Sequence, residues 1–303
     1  MVGALLAVQA SVNLQLSRGL RSPFAAASVQ LAVAWVAVLV VTVVSGGMTS
    51  LGGLLHAPGW ILLAGLASPI YITSGILLVP RLGAVATVGL WVAGQMIASV
   101  ALDLTGAFGV PIRPVGAGMI AGGGLVLAGI VMVIRGQVPP PVTASTDGTP
   151  RPRGGTGWPL LGLAAGALLP VQGAMNALLR EKVGAAATVA FISFTVAALF
   201  SLLILGVLLR GGAIPRPYLP GLRRVPWWGW IGGLCAVVYV ASTFLLIPEI
   251  GAAATVSFTV AGQQLCSAVI DHRGLLGLPR RRVTGLRALG IGMLLAGSVA
   301  VQL

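Results

Sequence analysis

The chain has 303 residues, of which 57% are hydrophobic and 8% charged, with 18 Lys and Arg against 5 Asp and Glu and a net charge of +13. A soluble domain carries about 25% charged residues, so there are too few charges here to cover a water-facing surface, and a mean hydropathy of +1.03 also excludes a disordered chain. In a soluble protein the basic excess would point to nucleic acid; in a chain this apolar it reads first as a record of membrane orientation.

A helix that crosses a bilayer needs about 20 predominantly apolar residues. Ten stretches qualify in chain order: 2–16, 23–44, 58–79, 84–104, 115–134, 158–179, 185–209, 227–247, 252–270 and 286–301. The first is the shortest. None alternates apolar with polar residues as a membrane β-barrel strand does. Gly and Ala recur throughout, as expected where helix backbones approach closely in lipid. Trp60, Trp158, Trp227, Trp228 and Trp230 stand at the starts of stretches, where indole suits the headgroup layer. Between the fifth and sixth stretches, 136–157 reads GQVPPPVTASTDGTPRPRGGTG, a solvated linker. The expected organisation is therefore 1–135, a linker at 136–157, and 158–303. Cys235 and Cys266 stand alone inside apolar runs, so neither a disulfide framework nor a metal site is indicated, and no cofactor is called for.

The halves repeat one another. Residues 77–115 and 245–283 align without a gap at an offset of 168, with 19 identities in 39 positions. Pro80/Pro248, Gln95/Gln263, Asp103/Asp271, Gly106/Gly274 and Pro111/Pro279 fall in register. A second match pairs Val8, Gln9 and Asn13 with Val171, Gln172 and Asn176. Five spans per half is an odd number, so the second half enters the membrane from the opposite side: an all-α membrane protein of ten transmembrane helices in two inverted five-helix repeats. The charges agree. Loops on the face holding both termini carry only Arg113, Arg180 and Lys182, and the linker face carries the other 15 basic residues. By the positive-inside rule the linker is cytoplasmic and both termini are outside. Arg280, Arg281 and Arg282 belong to that cytoplasmic surface, beside anionic lipid, and do not indicate nucleic acid.

These motifs resemble the drug/metabolite transporter superfamily, and within it the YdcZ-type branch. The resemblance rests on V-Q-x-x-x-N at Val8 and Val171, P-x-x-G-A-x-x-T-V at Pro80 and Pro248, A-G-Q ending at Gln95 and Gln263, and D-x-x-G at Asp103 and Asp271. It covers nearly the whole chain except the linker. It implies a bacterial inner-membrane transporter or exporter, with the fifth and tenth helices joining the halves at the periphery. Small multidrug members of the superfamily use a glutamate in the first helix for proton and cation exchange. Here Gln9, Asn13, Gln172 and Asn176 stand instead, so proton-coupled cation export is not carried over.

Gln9 and Asn13 are four apart and share a helix face, as do Gln172 and Asn176. A carboxamide in hydrocarbon is costly unless hydrogen-bonded, so both pairs should face the interior. There they either line a path for a neutral or zwitterionic solute or join helices by hydrogen bonds of about 1 kcal/mol or less. Gln95 and Gln263, in the A-G-Q triplets, carry the same two readings. Tyr71/Tyr239 and Ser74/Ser242 match at the repeat offset and could complete a substrate cavity; the alternative is ordinary packing. Gln30 and Gln264 lack a repeat mate and rank behind these. Pro69 and Pro170 are read as helix kinks. Asp103 and Asp271 are read as loop anchors that could pair with Arg113 and with the Arg280–Arg282 group; the alternative is a role in proton coupling. No catalytic or nucleotide-binding constellation is present, so the chain is not read as an enzyme. The expected function is secondary transport of a small organic solute, the chain acting as an internal pseudo-dimer in the lipid bilayer. The alternatives are a non-transporting assembly or lipid-handling protein, and a channel.

Overall fold

The computed structural model describes residues 2–82, 84–113, 116–136, 157–278, 280 and 283–301, with backbone alone at 76, 79–82 and 84–86. The segment read as a linker thus lies outside the described residues except at 136 and 157, as do Arg281, Arg282, and the side chains of Pro80 and Arg81. Among the described residues the chain is all helical. Its α-helices are α1 (Val2–Leu20), α2 (Pro23–Val44), α3 (Ala67–Leu82), α4 (Ala84–Thr105), α5 (Ala117–Arg135), α6 (Gly157–Val183), α7 (Ala186–Arg210), α8 (Gly232–Ile250), α9 (Ala252–Arg273) and α10 (Gly285–Ala300). Hydrocarbon offers no partner to a bare N–H or C=O, so helices that satisfy their own backbone are what such a sequence can form in lipid.

Among the described residues seven spans are long and apolar enough to cross a membrane: Pro23–Val44, Thr87–Thr105, Ala117–Arg135, Gly157–Val183, Ala186–Arg210, Trp227–Ile250 and Ala252–Arg273. Gly59–Gly75 and Gly285–Ala300 are apolar but shorter. Helix α1 has 19 residues, and Gln9, Ser11, Asn13, Gln15, Ser17 and Arg18 make it less apolar than the seven.

Local sequence explains the boundaries. Ser22 Oγ accepts from the Ala25 N–H at 3.3 Å, and Pro23 follows at the first position of α2, where its missing N–H costs nothing. The glycine of each D-x-x-G motif, Gly106 and Gly274, takes φ +66° and ends α4 and α9 in the left-handed conformation that glycine adopts without strain. The stretch at 58–79 is not one α-helix. A 3-10 run, Gly59–Leu66, precedes α3. Pro69 cannot donate to the carbonyl of residue 65, so the regular ladder starts around it. It lies in the first turn of α3, where nothing is lost, and not inside a kinked helix. Pro170, as expected, sits inside α6. A 3-10 turn, Trp227–Trp230, likewise precedes α8.

The two parts of the chain interlock. Helix α1 packs on α8 and α9, and α6 packs on α3 and α4. Gly3 brings α1 so close to α9 that a Cβ there would collide with the Thr259 carbonyl, and Gly166 meets the Trp91 backbone of α4 in the same way. Helices α2 and α7 run antiparallel. Ser28 Oγ meets Ser201 Oγ at 2.9 Å, Trp35 Nε1 donates to Thr195 Oγ1 at 2.9 Å, and Thr42 Oγ1 donates to the Ala187 carbonyl at 3.0 Å.

Helices α5 and α10 also pair antiparallel, through four glycines. A Cβ at Gly129 would lie 2.7 Å from Gly290 O, and one at Gly290 would lie 2.7 Å from Gly129 O. The same distance separates Gly122 and Gly297 in both directions. In lipid, where apolar side chains gain nothing by leaving their solvent, this close backbone contact is what associates two helices. Gly123 and Gly124 have nothing within 4 Å of the corresponding position and face outward. Gly129→Val should therefore destabilise the protein by about 1–3 kcal/mol, the usual cost of overpacking, seen as a lowered Tm in detergent. Gly123→Val should leave Tm within about 0.5 kcal/mol of wild type.

Candidate functional site

A cavity of about 510 Å³ lies between the interlocked helices. Its volume falls within the range of about 300–1,000 Å³ usual for small-molecule sites. Helix α1 forms one wall with Leu6, Gln9, Ala10, Asn13, Leu14 and Ser17, and α2 contributes Gln30 and Leu31. Ser68, Tyr71 and Gly75 enter from α3, Trp91 from α4, Phe194 from α7, Tyr239 from α8 and Gln263 from α9. Of the residues singled out from sequence, Gln9, Asn13, Gln263, Tyr71 and Tyr239 thus converge on one space.

The remaining five do not line it. Gln172, on α6, exchanges hydrogen bonds of 3.2 and 3.3 Å with Ser68 Oγ and so stands behind the wall. Asn176 is fully buried and donates to Ser193 Oγ at 3.2 Å. Gln95 is buried within α4's packing. Ser74 donates to the Tyr71 carbonyl at 2.7 Å and accepts from Trp91 Nε1 at 3.0 Å, which fixes the indole that does line the cavity. Ser242 is half-buried on α8, away from the lining.

Gln30 is the residue that sequence reasoning underrated. It is 1% exposed, it lines the cavity, and both amide atoms lack a hydrogen-bond partner among the described residues. Gln9 Oε1 and Asn13 Oδ1 are likewise buried and unpartnered. A buried amide left unpaired costs about 1–3 kcal/mol. The signal available in sequence was a lone glutamine inside the apolar run of α2. Trp91 and Phe194 carried no signal beyond hydrophobicity.

The cavity reaches the turn between α1 and α2 through Ser17 and Pro23. That end also holds the contacts of Leu20 with Tyr218, Gln15 with Leu276, and Gly136 with Thr284. Leu102, Val110, Ala174, Ile247 and Ala252 form a buried apolar cluster where the C-terminal ends of α4 and α8 meet the start of α9. Beside it the Asp103 carboxylate closes α4 onto the start of α9. Its Oδ1 accepts from Ala252 N at 2.6 Å and its Oδ2 from Ala253 N at 2.8 Å.

Both aspartates hold helix ends, and each has a partner beyond those expected. Asp103 was expected to pair with Arg113. Arg113 does meet it, its backbone N–H donating to the Asp103 carbonyl at 2.8 Å, while the carboxylate itself satisfies two free N–H groups at the positive end of the α9 dipole and the Arg113 guanidinium donates to the Glu249 carbonyl at 2.8 Å. Asp271 was expected to pair with the Arg280–Arg282 group. Arg281 and Arg282 lie outside the described residues; among the described residues Asp271 pairs with Arg287 at 2.8 Å, because α10 packs its first turns on the end of α9, and Arg287 also reaches Ser267 Oγ at 3.2 Å. Arg280 turns back to the His272 carbonyl.

Comparison with known proteins places the chain. The model of the family described as "Putative inner membrane exporter, YdcZ" matches residues 1–132 and 157–300, and the chain belongs to this family. No curated protein matches the sequence. A solved structure described only as "Crystal structure of protein" superposes with a TM-score of 0.66 at 15% identity, over 99% of this chain and 94% of that chain, a likeness of fold. The apolar helices of the bundle are accordingly membrane-spanning helices of an inner-membrane protein.

Asp103→Ala removes the cap from α9. It should cost about 0.5–2 kcal/mol, the usual value of an N-cap, and raise amide hydrogen exchange at Ala252 and Ala253 before other sites in α9. Exchange that rises evenly along α9 would refute the capping role.

Proposed function

We propose that this chain is a secondary transporter of a small organic solute. Two antiparallel halves, 1–135 and 158–303, expose a shared central site alternately to each face of the membrane. One observation carries the reading: the amide residues that are mates in the sequence repeat sit in two different environments. Gln9, Asn13 and Gln263 line the cavity, while their mates Gln172, Asn176 and Gln95 are packed away from it. Two halves of equal build held in unequal conformations are what alternating access needs. Exchanging the two conformations would close the site toward one face and open it toward the other.

The helix pairings support the same reading. The contacts of α1 with α8 and α9 have their counterpart in those of α6 with α3 and α4. The glycines that join α5 to α10 stand at the repeat offset of 168, Gly122 to Gly290 and Gly129 to Gly297. Ten membrane crossings in this arrangement put the cavity's open end on the linker face, which the 15 basic residues mark as cytoplasmic. The packed layer around Asp103 is then the closed external gate, and a continuous channel is disfavoured by it.

Reconstituted into liposomes with a panel of radiolabelled small metabolites, the protein should give saturable uptake and counterflow for at least one solute. Gln9→Ala and Asn13→Ala should each lower uptake about tenfold, the equivalent of 1.4 kcal/mol. Flux that never saturates, or that neither substitution changes, would contradict the proposal.

A further inference from the structure

We infer that the cavity takes an uncharged, planar heteroaromatic solute whose edge presents an N–H donor beside an acceptor. The inference deepens the transport reading and rests on it for the fate of the solute. What occupies the cavity follows from the lining itself.

Every side chain that lines the cavity among the described residues is uncharged. An ion brought into such a site leaves water without gaining a counter-charge, which is strongly unfavourable. The lining therefore selects neutral solutes. Three of its aromatic side chains are Tyr71, Trp91 and Tyr239, and the Tyr71 and Trp91 rings lie 4.3 Å apart at 38°. The indole N–H is already spent on Ser74, so Trp91 offers the solute its ring surface and no hydrogen bond. Ring surfaces are best covered by another ring, stacked or edge-on.

The amides supply the polar half of the argument. Gln30 presents a donor, Nε2, and an acceptor, Oε1, in one plane, both buried and both unpartnered. A ligand that satisfies both at once must carry an acceptor and a donor side by side, as a ring lactam or an aminopyrimidine edge does. Glutamine and asparagine pair with nucleobase edges in this two-point fashion. Gln9 Oε1 and Asn13 Oδ1 add two further acceptors, which call for additional N–H or O–H groups. A quaternary ammonium ion would satisfy the rings through cation–π attraction but leaves all four amide atoms unpaired. A carboxylate could meet only the donor.

The test uses the full chain purified in detergent, with hypoxanthine and uracil as neutral probes, tetramethylammonium as the cationic probe and benzoate as the anionic one. Equilibrium dialysis should show saturable binding of hypoxanthine or uracil and none of the charged probes. Gln30→Leu should weaken that binding about tenfold or more, the scale of a lost two-point hydrogen bond. Gln30→Asn, which keeps the amide on a shorter stem, guards against a folding defect and should bind more tightly than Gln30→Leu. Trp91→Phe should retain binding and lose most of the ligand-induced fluorescence change. Binding of tetramethylammonium or benzoate in preference to the neutral probes would overturn the inference, as would failure of both neutral probes to bind. Binding without counterflow in liposomes sustains this inference and overturns the transport reading. Counterflow of a charged solute alone sustains the transport reading and overturns this inference.

Discussion

Close approach between helix backbones is the constraint on which the rest of this structure depends. Within a bilayer, apolar side chains are as well solvated by lipid as by one another, so helices hold together through small residues and hydrogen bonds. Here the contacts at Gly3 and Gly166 thread α1 into the partners of the second half and α6 into those of the first. The halves are therefore interlocked, with α5 and α10 joined at Gly122–Gly297 and Gly129–Gly290. A bundle held at its backbones leaves space where side chains are small or polar, and the cavity occupies such a space between α1, α2, α3 and α8.

Interlocking also sets the terms on which the protein can move. In the proposed mechanism neither half can leave the other, so a change of state must be a tilt that trades one set of amides for its mates. Ser68 is placed to register that trade. It lines the cavity and holds Gln172, which lies just outside it. The carboxylate of Asp103 fastens the end of α4 to the start of α9 by two short hydrogen bonds, and in the same account that is the contact that opening toward the far face has to break.

Much of this was legible in the residues. Each α-helix falls on an apolar stretch bounded by Pro, Gly or charge, and the D-x-x-G glycines end two helices with the backbone that glycine favours. Gln9, Asn13 and Gln263 could be picked out because a carboxamide in hydrocarbon needs a reason. What composition could not reveal is which mate faces the cavity, since Gln9 and Gln172 are chemically identical and differ only in the conformation of their surroundings. Gln30 escaped emphasis because it has no mate, and Trp91 because an indole in an apolar run looks like any other lipid-soluble ring. The pairing of Asp271 with Arg287 was hidden by sequence distance, since four arginines stand nearer to Asp271 in the sequence and only the packing of α10 on the end of α9 brings Arg287 to it.

The central claim is that two equivalent amide sets serve opposite faces of the membrane. It is tested most directly by Asn13→Cys and Asn176→Cys, each placed singly in a chain whose Cys235 and Cys266 are replaced by serine. Each variant is treated with a membrane-impermeant thiol reagent, in intact cells and in inverted vesicles. The account predicts that the cysteine at 13 reacts readily in inverted vesicles and not in intact cells. The cysteine at 176 should be protected in inverted vesicles and react slowly in intact cells as the far face opens. Reaction of both positions from the same side would contradict it.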